Sequence, residues 1–399
     1  MLWLAGGQIF DVESGRFRPD SLGIENGRIR TRASKPDAGA NEILDLSGCY
    51  LLPGLVDCHV HLAMPTEEAD PSAVARWPDA LIAIYAMKAA ERTLLGGVTT
   101  VRDCGGWNYV EMAVRKAIAR GWSIGPRMFL AGRLLSITTG GADYYPGMYE
   151  VANGPEEVRA AARRQLARGA DFIKVMATGA MLSPENEDAR AIQYTPEELK
   201  AAAEIAHDNY KHMAAHAHAC QGIVNAVEAG ADSIEHGTFA DERALKLMAE
   251  RKATLVPTFC PATSMLRDPA ISASMPAHLR ERLVNSRQTR QEMVRRAHRA
   301  GVPIAMGTDA GTPGNHHGDN VDECITMVDE GGLSPADCLR ASTLNGARLL
   351  RQEDNLGSLA PGRFADVIAT RENPLNDIRA LKRLSLVMKG GVVHLNALS

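Results

Sequence analysis

Seven residues of this chain are placed so that they could hold metal ions, and their spacing suggests how they meet. His59-Val-His61 places two imidazoles two residues apart, and residues i and i+2 of a strand share one face, so both can reach one ion. His216-Ala-His218 repeats that spacing. His236, in Ser233-Ile-Glu-His-Gly-Thr238, and Asp309, in Gly307-Thr-Asp-Ala-Gly311, add an imidazole and a carboxylate. Lys174 lies in the apolar run Asp171-Phe-Ile-Lys-Val-Met-Ala-Thr-Gly179, where a lone ammonium is rare unless paired. It has two readings: a structural ion pair, or a neutral amine that takes up CO2 to form a carbamate bridging two cations. Taken singly, each residue also has a plain reading as a hydrogen-bonded histidine or a capping aspartate. Nitrogen and oxygen donors without thiolate suit zinc, with cobalt and manganese as alternatives.

These residues need elements that bring them to one place. Apolar strands are expected at Leu55–Val60, Thr99–Asp103, Arg127–Ala131, Asp171–Met176, His212–Ala217, Asp232–His236, Ala253–Thr258 and Pro303–Thr308, with helical stretches between most of them. Thr195-Pro-Glu-Glu198 reads as a capping box and Ser334-Pro335 as a second helix start. Gly169 and Gly230 sit where C-caps belong. Eight strands with interposed helices predict a (β/α)8 TIM barrel. The histidines, Lys174 and Asp309 then fall in or at the C-terminal ends of strands one, four, five, six and eight, where such barrels keep their sites. An open doubly wound sheet is the alternative, but no GxGxxG follows the first strand. Short strands at Leu2–Ile9 and Leu22–Arg30 are matched near the other end by Asp366–Thr370, Ser385–Lys389 and Val392–Leu395. The two ends are expected to pair into a small β-sandwich domain of residues 1–52 and 358–399, leaving 53–357 to the barrel. The arginine-rich stretch Arg287–Arg299 reads as a solvated helix face.

Composition narrows the function classes. The chain has 399 residues, 45% hydrophobic and 23% charged, which is ordinary for a globular protein and excludes disorder. A net charge of −4 and 5% aromatic residues argue against a nucleic-acid surface. The seven cysteines are scattered, with no CxxC pair, and read as small buried apolar residues. No stretch approaches the ~18 apolar residues of a membrane span, and the first residues carry no basic region before their short apolar run. A cytoplasmic protein without nucleic-acid or membrane partners is the expectation.

Taken together, Pro53-Gly-Leu-Val-Asp-Cys-His-Val-His61, Phe172-Ile-Lys174, His216-Ala-His218, Ile234-Glu-His236 and Gly307-Thr-Asp309 resemble the motifs of the amidohydrolase superfamily of barrel metal hydrolases. The resemblance spans essentially the whole chain. It implies a binuclear centre of two divalent ions, zinc by donor type. His59, His61 and Asp309 would bind one ion and His216 and His236 the other, with N6-carboxylated Lys174 bridging them. Within the superfamily, Gly169–Gly179 and His317-Gly-Asp-Asn320 look most like the prolidase-like dipeptidase and carboxypeptidase branch, which includes an ochratoxin-hydrolysing amidase. The implied reaction is cleavage of the amide bond of a dipeptide or N-acyl amino acid by a hydroxide bridging the metals, with Asp309 as general base and then general acid. His218, His317 and Tyr144 are the expected substrate contacts.

One departure stands out. The branch commonly reads Thr-Gly-Gly-His after the third strand, whereas this chain reads Thr138-Thr-Gly-Gly-Ala-Asp143. Asp143, Tyr144 and Tyr145 are the residues placed to substitute for the missing histidine. Two other functions fit the same fold. A mononuclear deaminase or cyclic-amide hydrolase is disfavoured by Lys174 and by the absence of a glutamate soon after His216. A non-catalytic scaffold is disfavoured because none of the six ligands is missing. Substrate preference is expected to reside in the loops Ser136–Tyr149, Met181–Gln193 and Pro261–Pro276, the last with a lid or contact surface around Met265, Met275 and Pro276. A homo-oligomer is expected by analogy alone.

Overall fold

The computed structural model describes residues 1–37, 40, 42–68 and 70–398. Strands from both ends of the chain share one eight-stranded sheet. Its seam is Tyr50–Pro53, parallel to Leu2–Asp11 on one side and antiparallel to Val367–Thr370 on the other. The strands Arg16–Glu25 and Arg28–Ala33 meet at a two-residue turn, Asn26-Gly27, whose φ values of 51° and 74° are those of a type I′ hairpin. The sheet then folds over, so that Ile29 N donates to Arg363 O at 2.9 Å and Ala365 N to Gly27 O at 2.9 Å. Leu4, Ile9, Leu22, Leu51, Val367, Leu386 and Met388 fill its own core.

The barrel follows directly from that seam. Its first two strands are Leu55–Val60 and Val98–Asp103. The third is broken: Arg127–Leu130 pairs with the second, and Leu134–Ser136 pairs with the fourth, Ile173–Met176. The break falls at Gly132, whose φ of 72° turns the chain out of strand geometry. Met213–Ala217, Ser233–His236 and Thr254–Val256 continue the parallel array.

The eighth position corrects the expectation of a regular strand over Pro303–Thr308. Residues 303–310 are extended but irregular, with single bridges at Leu255–Ile304 and Val60–Ala310. Pro303 has no N–H to give, and Asp309 adopts a left-handed φ of 55°, so no continuous register forms. The ring still closes. On one side Leu255 N donates to Pro303 O and Ala305 N to Leu255 O; on the other, Cys58 N donates to Met306 O and Asp309 N to His59 O, all at 2.7–3.0 Å. Asp57 reinforces this closure, accepting from the Thr308 hydroxyl at 2.7 Å and the Asn320 amide at 2.8 Å.

The helices pack outside the ring. Pro196–Asp208 carries the expected reciprocal capping box between Thr195 and Glu198, and Ser334 caps Pro335–Arg340. Gly230, at φ 106°, ends the helix Cys220–Ala229. After the seventh strand the expected long loop instead forms two short helices, Cys260–Arg267 and Pro269–Ser274, leading into the long helix Ala277–Arg299. Met265 and Met275 are buried there with Ile271, Leu279 and Leu283, because the thioethers fill the packing between these helices. All seven cysteines are free, six of them buried. Among the described residues no helix is long and apolar enough to cross a membrane.

Candidate active site

The C-terminal ends of the barrel strands bring the six expected metal ligands to the wall of one cavity. Backbone hydrogen bonds position the first group. Asp309 N donates to His59 O and His61 N to Ala310 O, each at 2.7 Å. Asp309 Oδ1 then lies 3.5 Å from His59 Nε2 and 3.2 Å from His61 Nε2. The second group is His216, His218 and His236, with one ligand atom of each within 4.8 Å of the others. His218, expected only to touch substrate, therefore stands as close to this group as the two anticipated ligands. The groups adjoin, with the rings of His59 and His236 5.2 Å apart between centroids.

Each imidazole is oriented by a fixed partner on one nitrogen. His59 Nδ1 meets Glu235 Oε2 at 2.8 Å and His61 Nδ1 meets Gly105 O at 2.9 Å. His236 Nδ1 meets Thr258 Oγ1 at 2.6 Å, His218 Nδ1 meets Thr238 Oγ1 at 2.8 Å, and His216 uses Nε2 for Gly179 O at 3.1 Å. Fixing one ring nitrogen leaves the other as a directed lone pair, the usual support of a metal-binding histidine. His236 and Thr258 hold φ values of 71° and 48°, joining Asp309 in the left-handed region. Such strain in non-glycine residues, and in β-branched Thr258 above all, concentrates at functional sites.

Electrostatics suit cation binding. Burial, then Lys174, pushes His59 down to about 4 and His216 to about 3, and burial holds His218 and His236 well below the ordinary imidazole range. These rings are neutral at pH 7, the form in which an imidazole can bind a metal. Burial works against ionisation of Asp309, but His59, His61 and Lys174 outweigh it and keep the carboxyl below its usual range. Lys174, opposite Ala214 on the fourth strand, is 1% exposed and its Nζ has no hydrogen-bond partner. The structural ion pair allowed by the sequence is thus absent among the described residues.

Three features were not anticipated. Glu235 joins His59 to Arg102, taking the guanidinium at 2.7 Å and the Ser233 hydroxyl at 2.6 Å on Oε1. Arg102 is fully buried and also donates to Cys58 O at 2.6 Å. The Ile-Glu-His motif contained Glu235, but nothing local marked Arg102 as its partner. Arg290 also lines the cavity, an exception within Arg287–Arg299, whose expected solvated helix face is seen at Arg287, Arg295 and Arg299. Its signal was periodicity: it falls seven residues after Leu283 and four before Val294, on the helix's buried stripe. Finally, Tyr149 lines the cavity beside Tyr145, the one of the three residues offered in place of the missing histidine that does so.

The neighbouring expectations resolve differently. Tyr144 is half-exposed and donates to Asp70 Oδ1 at 2.7 Å, outside the cavity wall. The short helix Gly140–Tyr144, capped by Thr139, turns Tyr145 inward in its place, where its hydroxyl donates to Leu182 O at 2.8 Å. Asp143 is exposed. His317 is buried beside Thr93, with Nδ1 3.5 Å from its hydroxyl, and is not among the cavity-lining residues. The rest of the wall is largely apolar, with Met148, Met181, Leu182, Pro261 and Leu283 drawn from the expected loops and the long helix.

Comparison with known proteins places this site in a family. The model of the amidohydrolase family matches residues 50–393. Ochratoxinase of Aspergillus niger is 33% identical over 372 residues, covering 86% of this chain and 75% of its own. The crystal structure of a Xaa-Pro dipeptidase with bound methionine in the active site is 34% identical, with a TM-score of 0.90 over 99% of this chain and 100% of that one. A prolidase complexed with N-methylphosphonate-L-proline is 29% identical, with a TM-score of 0.91 over 99% of both chains. The chain belongs to the amidohydrolase family, in its prolidase-like and ochratoxinase-like branch, and is a hydrolase acting on amide bonds.

Proposed function

We propose that this hydrolase cleaves the amide bond of dipeptides or N-acyl amino acids with the help of two divalent cations. The observation that carries the reading is the convergence on one cavity of two histidine groups, Asp309 and a buried lysine without a partner. The donor set fits the metals. His59, His61 and Asp309 would hold one ion and His216 and His236 the other, and Lys174, carboxylated at Nζ, would bridge them. The unpartnered Nζ supports that last role, since adding CO2 to the neutral amine with loss of a proton gives an anionic carbamate whose charge the two cations would balance. Nitrogen and oxygen donors favour zinc. When bound, the metal pair supplies Lewis-acid polarisation of the scissile carbonyl and lowers the pKa of water to near 7.

The chain's own residues do the rest. Asp309, kept ionised by His59 and His61, accepts a proton from the attacking water and returns it to the leaving nitrogen, so water and amide become acid and amine. Glu235 and Thr258 hold His59 and His236 in their working tautomers. The apolar wall of Met181, Leu182, Pro261 and Leu283 excludes water from the scissile bond and selects the side chain. His218 and Tyr145 stand at the wall where substrate would lie.

The test is a panel of dipeptides and N-acyl amino acids, assayed by release of free amino acid. Hydrolysis abolished by chelation and restored by zinc is the expected result. Turnover of ring amides or aminated heterocycles, with none of the panel cleaved, would overturn the reading.

A further inference from the structure

Arg290 is the exceptional arginine of the long helix Ala277–Arg299. Arg287, Arg295 and Arg299 of that helix are exposed, whereas Arg290 is 3% exposed and lines the cavity that holds the candidate ligands. Its Nη1 donates to Thr258 O at 3.0 Å, and the Thr258 hydroxyl in turn meets His236. Its Nε makes no hydrogen bond. Two acidic groups exert a field on it, but both are engaged elsewhere: Glu323 accepts from the amides of Phe259 and Cys260, and Asp309 meets His61. Among the described residues Arg290 forms no ion pair, whereas Arg102, buried in the same barrel, is paired with Glu235. Buried cations are ordinarily compensated, because desolvation penalises an isolated charge.

We propose that Arg290 receives a carboxylate of the substrate, which makes this enzyme selective for anionic amides. The inference rests on the reading of the cavity as an amide-hydrolysing site and extends it to a recognition residue. A planar guanidinium with unused donors matches a carboxylate in both geometry and charge. That carboxylate is either the C-terminal group of the scissile amino acid or an acidic side chain on it.

The experiment uses zinc-loaded protein with Arg290→Lys and Arg290→Met variants. Two substrate pairs separate the sources: an N-acetyl amino acid against its primary amide, and N-acetylglutamate against N-acetylglutamine. In the wild type one pair should show a preference of about 100-fold in kcat/KM for the acid, carried mainly by KM. Arg290→Lys should weaken the preference, and Arg290→Met should abolish it. The pair that shows the preference identifies which carboxylate is read. A preference that survives in Arg290→Met, or none in either pair, overturns the proposal. If no amide is cleaved at all, the functional reading fails on its own, and Arg290 is then judged by binding. The N-acetyl acids should raise the melting temperature of the wild type and of Arg290→Lys but not of Arg290→Met. Equal shifts in all three, or none in the wild type, would overturn it.

Discussion

His59 Nδ1 lies 2.8 Å from Glu235 Oε2, and the other oxygen of that carboxylate pairs with the fully buried Arg102. Although burial pushes the Glu235 carboxyl up, Arg102, Lys174 and His59 hold it below the usual range. The ion pair thus anchors one candidate ligand to the barrel interior. Glu235→Gln keeps the shape and removes the charge. It should lower metal affinity by about 10- to 100-fold and cost roughly 3–5 kcal/mol of stability by leaving Arg102 unpaired. Chelator competition and thermal unfolding measure the two effects. An unchanged metal affinity would mean that His59 does not depend on this anchor.

Gly311 is required by geometry next to the same group. Its φ is +112°, and an added Cβ would stand 2.3 Å from His61 O. Gly311→Ala must therefore shift the backbone that sets His61 against Asp309. The expected outcome is a loss of about 2 kcal/mol or more together with weaker metal retention. Wild-type metal content in a folded Gly311→Ala protein would show that the Asp309–Gly311 turn does not position the ligands.

Glu111 gives stability a pH dependence. It is fully buried under the loop at Gly106, and neither carboxylate oxygen has a hydrogen-bond partner. Burial, then the Asp103 charge, raises its pKa from 4.5 to about 8. Between those values the folded protein holds a proton that the unfolded chain has released, so this residue makes stability fall as pH rises across that window, by at most about 1.4 kcal/mol per pH unit. Glu111→Gln removes the effect. The variant should gain on the wild type steadily between pH 5 and pH 8 in thermal unfolding, with no further gain above that. A gap that stays constant with pH would refute the assignment.

Regular local patterns were legible in the amino-acid sequence, and long-range pairings were not. The two-residue spacing of His59 and His61 and the Thr195–Glu198 capping box each depend on residues within four positions of one another, whereas the strand expected over Leu22–Arg30 is split by the Asn26-Gly27 hairpin. The eighth strand was not legible as irregular, because its shape is set by bonds to Leu255 on one side and His59 on the other. Glu235 was visible inside a motif, yet its role depends on Arg102, 133 residues away. Arg290 carried a periodic signal that its charge obscured. Tyr144 and Tyr145 are adjacent, and which one enters the cavity depends on where the short helix capped by Thr139 ends.

Metal content per chain tests the central claim most directly. Protein produced with zinc and bicarbonate should contain about two equivalents, falling sharply in Lys174→Ala, because a bridging carbamate would hold both ions. About one equivalent, unchanged by that substitution, would contradict the binuclear account and place the metal in only one of the two histidine groups.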